Sequence, residues 1–325
     1  MRSARLDRAA EALLVATSTT SASVMSSARV EAEMRLQGAN EVWPRALRIE
    51  QGAGSEPSPR VAEWASALPP NAQCGWARRD LSGGREVVIY LSAEHMVELV
   101  PLPLKGRTGQ WIELDATLPA GAASPRAYAL APDGRARALS VSLAGRRARA
   151  RFALSAPGRF VVQLTADIGA GPRPVAEAWV WADVEPEAPL GAIAVAGPAG
   201  GAERGLRDLL AEARAGAGLR ALLADSALDK VALAHAEAMA RAQTLAHELS
   251  GTTPAARLDA ARVAWSKSGE NVAHAATEAG AHEALLRSPS HRENLMNAGY
   301  THVGLGIAKD PHGDGVWVCE VFVRR

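Results

Sequence analysis

Leu6, Ala9, Ala10, Leu13 and Leu14 recur at helical spacing near the start of the chain. A second helical run spans about Ser26 to Leu36 and meets Gly38, a residue suited to the C′ position that ends a helix. Residues 1 to about 50 therefore read as helical, and Gln51 to Pro59 reads as a loop by its Gly, Ser and Pro content. Segment 1–75 looks too small for a core of its own and is expected to dock on the next domain. From about Gly83 to Val184 the period shortens to two. Val87 to Leu91 is a β-rich run, Trp111, Glu113, Asp115 and Thr117 alternate with Ile112, Leu114, Ala116 and Leu118, and Pro132-Asp133-Gly134 and Ala144-Gly145 supply turns. About seven short strands separated in this way predict a β-sandwich over 76–188. A Pro/Gly/Ala-rich stretch, 189–204, reads as a linker. Beyond it, Leu206, Leu209, Leu210 and Ala213 form a helical stripe, and Asp225 is a candidate N-cap for another helix built on Leu228, Val231, Ala232, Ala238 and Met239. His235 lies on that stripe and reads as a packed histidine rather than a ligand.

The net charge of +1 and the scarcity of Tyr and Phe, three of each, point away from nucleic acid and from an anionic membrane surface. No uninterrupted apolar run reaches the ~18 residues of a membrane-spanning helix. The N-terminus carries Asp7 and Glu11 where a secretory leader would be basic or apolar, so no leader is read there. Cys74 and Cys319 make no disulfide framework and no Cys-x-x-Cys pair; a single bridge between them and two unpaired thiols both stay open.

Chemistry concentrates in the last third, where five of the eight histidines fall between His235 and His291. Several phrases there occur in a fixed order: Leu228-x-x-Val-Ala-x-Ala-His235, Ala246-His247, Thr253-Pro-Ala-Ala-Arg-Leu258, Ser268-Gly-Glu-Asn-Val-Ala273, Ser288-Pro-Ser-His-Arg-Glu-Asn-Leu-Met296, Val303-Gly-Leu-Gly-Ile307 and Val316-Trp-Val-Cys-Glu-Val-Phe322. Together they resemble the CAP superfamily (cysteine-rich secretory proteins, antigen 5, pathogenesis-related proteins; SCP-domain proteins in bacteria) over about 205–325. The phrase Pro157-Gly-Arg-Phe-Val-Val-Gln-Leu164 loosely resembles late strands of bacterial immunoglobulin-like modules. The fold class implied is multidomain: an α+β CAP domain, an αβα sandwich, at 205–325, preceded by an all-β immunoglobulin-like sandwich and a short helical N-terminal segment.

The resemblance implies a cleft with two histidines and two acidic residues that in some members holds a divalent metal. His247 and His291 match the histidines, and Glu270 matches one acidic residue; Asn271, Asn294 and Ser288 belong to the same phrases. The second acidic position falls near Leu285 to Ser288, where there is no carboxylate. Two imidazoles and one carboxylate can bind zinc weakly through His247 and His291, with an open position, or can hydrogen-bond one another with no metal. No confident catalytic residue follows. Ser268, Ser288 and Ser290 read as cap or turn residues, and no Gly-x-Ser-x-Gly elbow occurs. The resemblance implies a secreted or cell-envelope bacterial protein that requires no cofactor and binds a small apolar ligand or an envelope component. A metal-assisted hydrolase or peptidase and a structural or adhesive envelope protein are the alternatives.

Overall fold

The computed structural model describes residues 1–17, 26–56, 58–169, 171–187, 205–313 and 315–325. Its first part interleaves helices and strands: α1 (Ala4–Thr17), α2 (Ser27–Leu36), β1 (Val42–Gly52), α3 (Pro59–Ser66), β2 (Ala72–Leu81) and β3 (Arg85–Glu94). The strands form one antiparallel sheet in the order β1-β3-β2. The stripe Leu6, Ala9, Ala10, Leu13 and Leu14 of α1 packs on Val87, Ile89 and Leu91 of β3, with Val30 and Met34 of α2 completing the core. Two expectations are corrected here. The helical reading stops at Leu36, because Val42–Gly52 is a strand, and β3 pairs with β1 and β2 rather than joining the sandwich. The expected division at 75/76 falls inside β2. Only Val42 and Ile49 of β1 are buried, so this edge strand carries almost no period-two signal.

Nine strands come next: β4 (Glu98–Leu99), β5 (Lys105–Gly106), β6 (Trp111–Thr117), β7 (Ala123–Leu130), β8 (Ala136–Leu139), β9 (Val141–Ala144), β10 (Arg147–Ala153), β11 (Gly158–Asp167) and β12 (Pro172–Ala182). They form two sheets, β4-β6-β10-β9 and β5-β12-β11-β7-β8. Alternate residues of both sheets, among them Ile112, Leu114, Phe152, Phe160, Val162, Leu164 and Val180, share one core. On the outer face of the second sheet, Val161, Trp179 and Trp181 pack against Ala32 of α2, which joins the first part to the second through apolar contact.

The expected linker, 189–204, lies outside the described residues. The C-terminal unit then runs α4 (Leu206–Gly216), β13 (Leu223–Ala224), α5 (Ser226–Ala242), α6 (Pro254–Ala260), β14 (Lys267–Ala275), α7 (Glu278–Arg287), α8 (Pro289–Leu295), β15 (His302–Lys309) and β16 (Val316–Arg324). The sheet order is β13-β15-β16-β14. Residues of α5 and α6 pack on one face and residues of α4, α7 and α8 on the other, giving three layers. The close approach of α5 explains the Val303-Gly-Leu-Gly-Ile307 phrase: a Cβ at Gly304 or Gly306 would lie 2.2 Å from the α5 backbone. Cys74 and Cys319 are both free thiols. No helix among the described residues is long and apolar enough to cross a membrane.

Candidate functional site

Strand β14 places neighbouring residues on opposite faces of the sheet. Glu270 points to the α5/α6 layer and Asn271 to the α8 layer, and each is the centre of a polar cluster.

On the first face, helix α5 is capped by Asp225, whose Oδ1 accepts from Ala227 N at 2.9 Å and Leu228 N at 3.2 Å. His235 on its buried stripe lies with Nε2 2.9 Å from the Ala246 carbonyl, which fixes this nitrogen as the donor and tethers the loop carrying His247. His235 is thus a packed histidine with a structural bond, and burial lowers its pKa. His247 Nδ1 lies 3.0 Å from Glu270 Oε1. The other carboxylate oxygen accepts from Arg257 Nη2 at 2.6 Å, and the same Nη2 donates to the His247 carbonyl at 3.0 Å. Arg257 reaches this position from α6, which Thr253 caps through its Oγ1 and Ala256 N. Burial pushes the Glu270 carboxyl up, but His247, Arg257 and His235 together outweigh it and hold the group below the ordinary carboxylate range. The Cys319 thiol lies 3.6 Å from Glu270 Oε2 and is pushed well up by burial, so it sits there as a neutral donor.

On the second face, the fully buried Asn271 donates from Nδ2 to Glu320 Oε2 at 3.0 Å and to the His291 carbonyl at 3.2 Å. Asn294 donates in turn to Asn271 Oδ1 at 3.0 Å and to the Glu270 carbonyl at 3.3 Å. The Tyr300 hydroxyl lies 3.2 Å from both Asn294 Oδ1 and the Ser268 carbonyl. The two asparagines therefore staple α8 to β14, and with it the position of His291. The His291 ring has no hydrogen-bond partner among the described residues. Burial, with a further contribution from the nearby His247, pushes its pKa to about 3, so the ring is neutral in any ordinary buffer. Burial lifts Glu320 to about 7, against the Asn271 hydrogen bond, and its Oε1 has no partner among the described residues.

His247 and Glu270 are thus in contact, and His291 stands close enough for His247 to act on its charge. Ser288 differs from its expected role. It precedes α8 but makes no capping bond; its Oγ instead meets the Gln163 amide of β11, 3.3 Å from Nε2 and 3.4 Å from Oε1. Other acidic and histidine neighbours are engaged elsewhere. Glu278 accepts from Leu206 N, Glu283 pairs with Arg287, and His274 pairs with Asp310. Arg257 sits in the Thr253–Leu258 phrase, but that phrase does not give its role as the partner of Glu270, 13 residues on and on a separate element.

Both oxygens of Glu270 already hold hydrogen bonds, and a guanidinium beside the carboxylate supplies positive charge where a metal would bring it, whereas the Nδ1 contact of His247 with Glu270 leaves its Nε2 free. Among the described residues no group of three or more His, Cys, Asp or Glu is placed to hold a metal ion.

The profile of the cysteine-rich secretory protein family, CAP, matches residues 207–321. That segment is a CAP domain. It carries every residue of both clusters. No curated protein matches the chain. Among solved structures, an outer surface protein from Borrelia burgdorferi is similar at 29% identity and TM-score 0.35, covering 37% of this chain and 90% of that one. An extracellular protein containing an SCP domain from Bacillus anthracis is similar at 14% identity and TM-score 0.34, covering 71% of this chain and 86% of that one. A cysteine-rich secretory protein from Staphylococcus aureus is similar at 14% identity and TM-score 0.32, with coverage of 71% and 87%.

Proposed function

We propose that the chain is an extracytoplasmic, non-enzymatic binding protein whose CAP cleft, walled by His247, Glu270 and His291, takes a small apolar ligand of the cell envelope. In this reading the β-rich part is an immunoglobulin-like sandwich that displays the CAP domain. One observation carries it: the only carboxylate matched to the family's acidic pair is spent on an internal ion pair. Glu270 cannot both hold Arg257 and His247 and serve as the base or metal ligand of a hydrolase. Ser288 does not have the setting of a nucleophile, because its hydroxyl is engaged with Gln163 and has no adjacent imidazole partner among the described residues. Arg257 Nε is buried with no partner among the described residues, which suits an amphiphile with a hydrogen-bond-accepting head.

A fluorescent fatty acid titrated into the full chain tests this. Saturable binding at one site per chain, weakened in a cleft-filling His291→Trp variant, is the expected result. Turnover of ester or peptide substrates by the wild type, abolished in Glu270→Gln, would overturn the reading in favour of a hydrolase.

A further inference from the structure

Strand β11 is the central strand of the second sheet, and its burial pattern is one that the sandwich core does not explain. Phe160, Val162, Leu164 and Ala166 point into the sandwich core, as period-two alternation requires. Val161, Gln163 and Thr165 point away from that core, yet they are only 5%, 3% and 5% exposed. Trp179 and Ala32 account for Val161. Gln163 is covered by the CAP domain: its Oε1 accepts from Ser290 N at 3.2 Å, and its amide meets the Ser288 hydroxyl. These are the residues that lead into His291.

The same hairpin touches the opposite wall. Gly171, at the turn joining β11 to β12, has φ +88°, and a Cβ there would lie 3.0 Å from His247 Cβ and 3.2 Å from Glu248 Cγ. A second turn of the sandwich behaves alike: Gly134, φ +79°, leaves room for Arg292, whose Nε donates to the Gly134 carbonyl at 2.6 Å, where a Cβ would come within 2.8 Å of Nη2. One hairpin thus spans from the His291 wall to the His247 wall.

We propose that the β11–β12 hairpin is an intramolecular cover across the mouth of the CAP cleft, which admits ligand only when the CAP domain and the sandwich part. The contacts are of a kind that can part. Helix α8 lies against β7, β8 and β11, and the hydrogen bonds of that contact, Gln163–Ser288, Gln163–Ser290 and Arg292–Gly134, are ones that water can replace. The apolar cores do not merge: one cluster serves the sandwich and two serve the CAP domain, with no residue shared among those described. The first part of the chain is joined to the sandwich by apolar packing around Trp179. The proposal rests on the reading of the cleft as a binding site only for what is admitted.

Carbethoxylation of histidines with diethyl pyrocarbonate at pH 7, read by mass spectrometry on the full chain, tests it without any ligand. It therefore fails or holds independently of the fatty-acid titration. The reagent attacks neutral imidazole, and His291 is neutral there, so slow reaction reports cover rather than charge. In the wild type, His247 and His291 should react at least about ten-fold more slowly than the exposed His312, as expected of groups reached only by local opening. In Gln163→Ala, and in Gly171→Leu, both should accelerate toward the His312 rate, while His235 and His282, buried inside the CAP domain, stay slow. Should Gly171→Leu fail to fold, Gln163→Ala, which removes atoms and adds none, carries the test. A folded variant in which His247 and His291 remain as slow as in the wild type would overturn the proposal. So would a wild type in which they react as fast as His312. Acceleration that spreads to His235 and His282 would also count against it, since the hairpin would then be part of the CAP fold rather than a cover.

Discussion

Two buried titratable groups of the CAP domain pull stability in opposite directions with pH. Glu320 has its pKa raised from 4.5 to about 7 by burial. The folded state therefore holds a proton that the unfolded state releases. Its contribution is fully present below 4.5 and is lost as pH rises to about 7, on the order of 3 kcal/mol. His282 is lowered from 6.5 to about 4, again chiefly by burial. Here the unfolded state takes the proton first, so stability is lost as pH falls from 6.5 toward 4. Glu320→Gln removes the first effect and keeps an acceptor for Asn271. Urea unfolding from pH 5 to pH 8 should show the variant gaining on the wild type as pH rises, with the gain levelling above about 7. A gain that is the same at every pH would show that Glu320 is ionised throughout. Neither Glu320 nor Arg257 is legible from the sequence as a member of these clusters, whereas the meeting of His247 with Glu270 is. All five sit in phrases with fixed local spacing, but Glu320 and Arg257 take their roles from contacts between strands and helices that only the fold creates.

At the scale of elements, legibility follows burial. Strand β15 reads clearly because its glycines are demanded by the α5 backbone, which leaves no room for a side chain. Helix α1 reads clearly because one whole face is buried. Strand β1 is mistaken for helix because it is an edge strand with two buried residues. The misassignment of β3 to the sandwich has the same root: without β1, a strand near Val87 has no partner but the next strand run. The α5–β15 contact makes a sharp prediction. Gly306→Ala places a Cβ 2.2 Å from the α5 backbone, and neither backbone can yield locally, so a loss of at least ~3 kcal/mol in chemical denaturation, or failure to fold, is expected. A loss under ~1 kcal/mol would mean that α5 lies further from the sheet than described.

At the scale of the whole molecule, the sandwich meets both of its neighbours: the first part by apolar packing around Trp179, and the CAP domain through α8, which lies against β7, β8 and β11 and adds hydrogen bonds from Ser290 and Arg292. Everything in the cleft turns on what the Glu270 carboxylate does. If it is committed to Arg257 and His247, the cleft has no vacant carboxylate for a metal, as the proposed binding role requires. Calorimetric titration of zinc into the full chain at pH 7.5, followed by metal analysis after dialysis against chelator, tests this most directly. A committed Glu270 predicts no stoichiometric heat and no retained metal. One zinc per chain surviving the chelator, and lost in both His247→Ala and His291→Ala, would contradict it.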